Sequence, residues 1–200
     1  MHNRMMRVLV AQFMAAVFVV LSATAQAGLQ EANEALAAKD YAAALKELEP
    51  LATKGDAYAQ YNLAKMYDDG TGVPLDIKVA ESWYRKAAVQ GYADAQAMLG
   101  ILYDNGAGVP QDYKKAVSWY RKAAEQGHPM AQSLLGASYA EGHGVAINLV
   151  QALKWFIVSA STGYNIGQQN VKAAEAVMSK KQIEQARTLA QQWQKAKKRK

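Results

Sequence analysis

Four columns of residues recur at one fixed interval, and that interval limits the fold more than any other feature of the chain. Gly55, Gly91, Gly127 and Gly163 lie 36 residues apart. So do Asp40, Asp76, Asp112 and Asn148, and so do Ala44, Ala80, Ala116 and Ala152. The fourth column is Leu48, Tyr84, Tyr120 and Phe156, and Trp83, Trp119 and Trp155 precede its last three members. Chance can align one column. Agreement of several at a single period marks stacked repeats in which each unit touches only its neighbours.

Each unit divides into two helices. Ala59, Leu63, Ala64 and Tyr67 fall at helical spacing on one face, as do Ala95, Leu99, Gly100 and Tyr103, and then Ala131, Leu135, Gly136 and Tyr139. Gly70, Gly106 and Gly142 stop these helices, because glycine enters the left-handed cap conformation without steric cost. Val73-Pro74 and Val109-Pro110 force an extended connection, although Ala146 stands where a third proline is expected. Asp76, Asp112 and Asn148 are N-caps for a second helix, which in the first full unit runs from Ile77 to Gln90 with Ala80, Trp83, Tyr84, Ala87 and Ala88 inward. The tryptophans share a repeat position and are assigned to packing between helices. Gly100 and Gly136 sit in mid-helix, where glycine costs ~1 kcal/mol relative to alanine. Their presence predicts that a neighbouring helix passes close by.

Composition agrees with an all-α chain. It has 200 residues, 51% of them apolar, which excludes a disordered protein. With four prolines, three phenylalanines and abundant alanine, leucine, glutamine and lysine, it leans to helix over sheet. The absence of cysteine excludes disulfides, a thiolate metal site, a cysteine nucleophile and a lipid-anchored cysteine.

Residues 1–27 read as a cleavable export signal. Arg4 and Arg7 precede an apolar run from Val8 to Leu21, and Ala25-Gln26-Ala27 supplies the small-x-small cleavage pattern. The run is shorter than the ~20 residues that span a bilayer. The formal charge of the whole chain is +6, but Gly28 to Gln194 carries 16 basic and 17 acidic residues, a net −1. The positive charge therefore sits in the leader and in a tail, Lys195, Lys197, Lys198, Arg199 and Lys200, so nucleic acid is not expected as a partner. The tail is a candidate contact for an anionic envelope surface.

No chemistry-bearing motif emerges. The Gly-x-Gly linkers lack the third glycine and preceding strand of a nucleotide loop, and they recur in every full unit, as turns do. Asp68-Asp69-Gly70 and Asp104-Asn105-Gly106 lack the alternating acids and closing glutamate of a calcium loop. His128 and His143 have no metal-site spacing and read as exposed turn residues. No Gly-x-Ser-x-Gly or Ser-x-x-Lys occurs; Arg85 and Arg121 follow Ser82 and Ser118 by three. The expectation is a non-enzyme with no catalytic, metal or cofactor residues.

Leu99-Gly100-Ile101-Leu102-Tyr103, followed by Ala116 and Tyr120, resembles the core of the tetratricopeptide repeat. The 36-residue period, the linker Asn105-Gly106-Ala107-Gly108-Val109-Pro110 and the run from Ala116 to Gly127 make the chain similar to the Sel-one-like members of that group. The resemblance implies a right-handed α-solenoid of antiparallel helix pairs. Its units are placed at 28–54 (partial), 55–90, 91–126, 127–162 and 163–194 (partial, with a capping helix), followed by the tail 195–200. The capping helix opens at Ser179-Lys180-Lys181-Gln182, turns Ile183, Ala186, Leu189, Ala190 and Trp193 inward, and leaves a polar outer face.

The resemblance also implies that first helices line a concave, partner-binding groove. Carried over by position, the groove comprises Tyr58, Tyr61, Lys65 and Asp68, then Asp94, Ala97, Ile101 and Asp104, then Met130, Ser133, Ala137 and Ala140. This stripe varies between units while the packing columns repeat. The function it implies is an exported adaptor that binds proteins or peptides through the groove. The alternative is an accessory that binds or processes envelope polysaccharide or peptidoglycan, using groove aromatics such as Tyr58 and Tyr61, and a third reading is a hydrolase with no recognised motif. Exported cysteine-rich relatives have been linked to β-lactam binding; their paired cysteines are absent here.

Overall fold

Side-chain caps set where each helix begins. Asp40, Asp56, Asp76, Asp112 and Asn148 each accept a hydrogen bond from a backbone N–H two or three residues on. The computed structural model describes residues 26–199. Within them the caps start α2 (Tyr41–Thr53), α3 (Ala57–Asp69), α4 (Ile77–Val89), α6 (Tyr113–Gln126) and α8 (Leu149–Ala160). The remaining helices are α1 (26–37), α5 (Ala93–Asn105), α7 (Pro129–Glu141), α9 (Asn165–Val177) and α10 (Lys180–Lys197). No strand occurs among the described residues. The leader reading falls mostly on residues 1–25, outside this range; Gln26 and Ala27 are helical, within α1.

Each second helix packs against the first helix of its own unit and the first helix of the next. The pairs α3/α4, α5/α6 and α7/α8 are the three full units, and the architecture is an all-α repeat array. At the C-terminal end α9 and α10 both lie against α8. Ser179 and Gln182 form the expected capping box of α10. Glu184, Gln185, Arg187, Gln191 and Gln192 face outward, while Ala186 and Ala190 are buried. The helix continues past the expected end at 194, so Lys195 and Lys197 belong to its last turn.

The linker glycines have two separate tasks. Gly70, Gly106 and Gly142 end the first helices in the left-handed conformation, at φ 65°, 68° and 79°. The second glycine of each linker presses on the start of the preceding second helix. A Cβ on Gly72 would lie 2.5 Å from the Tyr41 Cβ, on Gly108 2.7 Å from Ile77, and on Gly144 2.2 Å from the Tyr113 carbonyl oxygen. The Gly-x-Gly motif is therefore a helix stop and an inter-unit spacer.

Mid-helix glycines do mark close approach. A Cβ on Gly100 would stand 2.5 Å from the Tyr120 ring, and one on Gly136 2.6 Å from the Phe156 ring. Tyr84, Tyr120, Leu99 and Leu135 are buried in the main core, with Trp83 and Trp119 partly buried against it. Trp155 is buried and meets Trp193 of α10 edge-on at 5.6 Å.

A further column, unremarked in the sequence, joins successive units. Gln60, Gln96 and Gln132 are buried at the same repeat position. Their side-chain N–H groups donate to the carbonyls of Ala52, Ala88 and Ala124 at 3.0, 3.0 and 3.2 Å, satisfying helix-end acceptors. Gln90 and Gln126 donate in turn to the side-chain oxygens of Gln60 and Gln96, both at 2.8 Å. The next member of that donor column is Thr162, whose hydroxyl bonds the Ser159 carbonyl instead. The Gln132 oxygen is left buried with no partner among the described residues. An unsatisfied buried acceptor costs about 1–3 kcal/mol. Thr162→Gln is expected to raise the unfolding free energy by about 1 kcal/mol, read as a higher denaturant midpoint at unchanged slope. An unmoved midpoint would show that this oxygen is satisfied by solvent.

Candidate interaction surface on the first helices

Three tyrosines form the most distinctive feature of the first-helix face. The Tyr61 and Tyr92 rings are 5.1 Å apart, and Tyr58 meets Tyr92 edge-on at 6.3 Å. The Tyr58 hydroxyl donates to the side-chain oxygen of Asn33 in α1. Burial raises the Tyr92 hydroxyl to about 12 and also raises Tyr61, with the Asp94 carboxylate adding to both. These hydroxyls are therefore neutral donors at ordinary pH.

Acid side chains rim the cluster. Asp94 occupies the first turn of α5, where the positive helix terminus favours it. Its Oδ1 lies 3.1 Å from His128 Nε2, and His128 Nδ1 accepts from the Ala131 N–H at 3.2 Å. That pair of contacts selects the Nε2–H tautomer, which donates to Asp94. His128 is thus a cap for α7 and a tie between two units, which corrects its reading as an exposed turn residue. His143 is half-exposed and stacks on Tyr113 at 4.4 Å. Lys65 is exposed and paired with Asp69, whose hydrogen bond raises the lysine pKa.

Not every expected groove residue is available. Ser133 is 4% exposed, and its hydroxyl accepts from the Asn170 side chain of α9 at 3.0 Å. Ala97 is wholly buried. Both are corrected to interior positions: Asn170 of α9 seats on Ser133 in the third unit, and Ala97 lies within the main core. Asp68 accepts from the Tyr84 hydroxyl at 3.2 Å and Asp104 from the Tyr120 hydroxyl at 2.9 Å. Burial raises the Asp68 pKa, and the Tyr84 hydrogen bond opposes that shift. The third unit replaces both partners at once, with Ala140 and Phe156, so these aspartates serve the pairing of helices within a unit. Ile101 and Met130 are partly buried against the main core. The accessible face thus centres on Tyr58, Tyr61, Lys65, Tyr92 and Asp94, with Asp68, Ile101, Asp104, Met130, Ala137 and Ala140 also partly exposed. Tyr92 lies outside the expected groove residues because it precedes its helix; the signal for it, as for His128, is the variable column Asp56, Tyr92, His128 and Tyr164.

The arrangement is suited to binding and shows no catalytic apparatus among these residues. Helices α3, α5 and α7 together carry a net −4. No group of three potential metal ligands occurs among the described residues, and none of their helices is long and apolar enough to cross a membrane.

The Sel1 repeat family model matches residues 57–92, 93–128 and 129–164. The chain belongs to the Sel1 repeat family. The matched units start two residues later than the sequence-based boundaries and coincide with the starts of α3, α5 and α7. A Sel1 repeat protein from Oxalobacter formigenes is similar at 37% identity and TM-score 0.67, over 70% of this chain and 58% of that one. The protective antigen c5321 of uropathogenic Escherichia coli, which displays an SLR fold, is similar at 33% identity and TM-score 0.58, over 76% of this chain and 40% of that one. This Sel1 chain thus spans 58% and 40% of the lengths of these two relatives. Helicobacter pylori cysteine rich protein B shares the fold at 22% identity and TM-score 0.52, over 65% of this chain and 93% of that one. A comparison with curated proteins gives no match. Sel1 repeats commonly form protein–protein interaction scaffolds without catalysis.

Proposed function

We propose that this Sel1 chain is an exported, non-catalytic adaptor that holds a protein segment on its first-helix face. The Tyr58, Tyr61 and Tyr92 cluster carries this reading. It combines half-buried aromatic area with neutral hydroxyl donors, which interface centres favour, and has the Asp94 carboxylate at its rim. The face differs from unit to unit while the core columns repeat, which suits recognition of one defined sequence. The net −4 of α3, α5 and α7 favours a basic segment. Export is supported by the pattern of residues 1–27, and the similarity to a protective antigen supports the same placement.

The test is crosslinking in the native host followed by capture with the wild-type chain, Tyr61→Ala and Asp94→Ala. Capture of a discrete protein, lost in Tyr61→Ala at unchanged helicity and melting, supports the reading. Capture that ignores both substitutions overturns it. Retention on a neutral polysaccharide through Tyr58 and Tyr61, with no protein captured, replaces it by glycan recognition.

A further inference from the structure

From α3 onward, charge is segregated between the first and second helices of the units. The first helices α3, α5, α7 and α9 sum to −4, whereas the second helices α4, α6, α8 and α10 sum to +10. The near-zero total of the body hides this division, so the expectation that positive charge is confined to leader and tail is corrected. We infer that the second-helix face binds an acidic polysaccharide.

Three observations carry this. First, the cations recur at the repeat period: Lys78 and Lys114, Arg85 and Arg121, and Lys86 and Lys122 occupy matching exposed positions. These charges repeat across the first two full units, the third having Val150, Ile157 and Val158 there, and such a surface matches a ligand whose charges also repeat. Secondly, several of these side chains are held in place. Arg85 and Arg121 donate to the hydroxyls of Tyr103 and Tyr139 in the next unit at 2.6 and 3.1 Å. Lys86 and Lys122 lie 3.5 and 4.0 Å over the rings of Trp83 and Trp119. Thirdly, Lys114, Ser118, Arg121 and Lys122 line an open groove of about 410 Å³ between α6 and the linker after α7, with Glu125 at its edge. Arg85 pairs with Glu81 and Lys115 with Asp112, while Lys78, Lys86, Lys114 and Lys122 make no ion pair among the described residues.

The face continues into the C-terminal helix. Glu125 of α6 shares a recess of about 270 Å³ with Trp193, Ala196 and Lys197 of α10. The tail is therefore one end of a longer basic strip.

A soluble polymer fits this strip better than a bilayer does. Membrane-binding helices place large apolar side chains beside their cations. On α4, α6, α8 and α10 the exposed large apolar residues are limited to Val89 among those described. Nucleic acid is disfavoured because Trp83 and Trp119 are covered by lysines, which leaves their faces unavailable for base stacking. The acidic first-helix face repels the same polymer, so the two faces take different ligands.

The experiment measures binding of the purified chain to polygalacturonate, with neutral dextran, vesicles containing anionic lipid and a single-stranded oligonucleotide in parallel. Expected is retention on polygalacturonate that falls as salt rises, and affinity reduced about tenfold or more in Lys78→Ser/Lys114→Ser. The melting temperature should not change, because neither lysine makes an ion pair within 4 Å among the described residues. A second variant, Lys195→Ser/Lys197→Ser, should lose less. No binding at low salt, binding indifferent to Lys78 and Lys114, loss confined to the tail variant, or tighter binding to vesicles or oligonucleotide would each overturn the inference. Protein capture through Tyr61 is read separately, so either proposal can fail alone.

Discussion

Gly100→Leu is expected to destabilise the chain by about 3 kcal/mol or more, at the upper end of the range for overpacked cores. The first carbon of the new side chain would already lie 2.5 Å from two atoms of the Tyr120 ring and 3.3 Å from the Ala116 carbonyl. Tyr120 is 1% exposed and its hydroxyl is held by Asp104 at 2.9 Å, so the ring cannot swing aside without breaking that bond. The alternative is to push α5 and α6 apart, which opens the contacts of both neighbouring units. Gly100→Ala should cost less, because Ala64 occupies the same column in the first full unit. Denaturant midpoints of the three proteins measure the order. A leucine variant that melts like the parent would refute the close packing of these helices.

Gly144→Ala should be comparably severe, although the residue sits in a linker. Two costs combine. Its φ of 70° is a left-handed conformation that costs a side-chain-bearing residue roughly 1–2 kcal/mol. The added carbon would also lie 2.2 Å from the Tyr113 carbonyl oxygen and 2.8 Å from the Lys114 nitrogen, both backbone atoms that cannot rotate away. Together these are expected to exceed about 3 kcal/mol, in the range reserved for backbone clashes. Gly127→Ala separates the two costs: its φ is 105°, but its Cβ would meet nothing within 4 Å. It should lose only the conformational part, about 1–2 kcal/mol. Equal losses at both positions would show that backbone strain alone governs these sites.

These substitutions also show what the sequence exposes and what it conceals. Helix pairs, caps and linker stops are legible because they rest on local chemistry repeated at one interval, as in Asp76 and Asp112. The need for glycine at 100 and 136 is legible for the same reason. The spacer task of Gly144 is not, because its contact with Tyr113 lies 31 positions away and depends on how units stack. Gln60, Gln96 and Gln132 were present as a column but pass for surface residues, since glutamine is rarely buried without partners. Their partners are helix-end carbonyls, which no residue type announces. On the candidate face, equal treatment of all units misplaces Ser133, because Asn170 belongs to an atypical terminal helix that folds over it. Charge summed along the chain separates leader, body and tail, but the division between alternate helices appears only once the helix pairs are known.

The seat of Asn170 on Ser133 also sets a limit on length. A segment lying across α3 and α5 reaches α9's obstruction at the third unit. With helices about 10 Å apart, that leaves roughly 20 Å of path, which an extended strand covers in about six residues. Under the proposed adaptor role, the epitope is therefore a short linear stretch whose affinity comes from a few aromatic anchors and not from a long footprint.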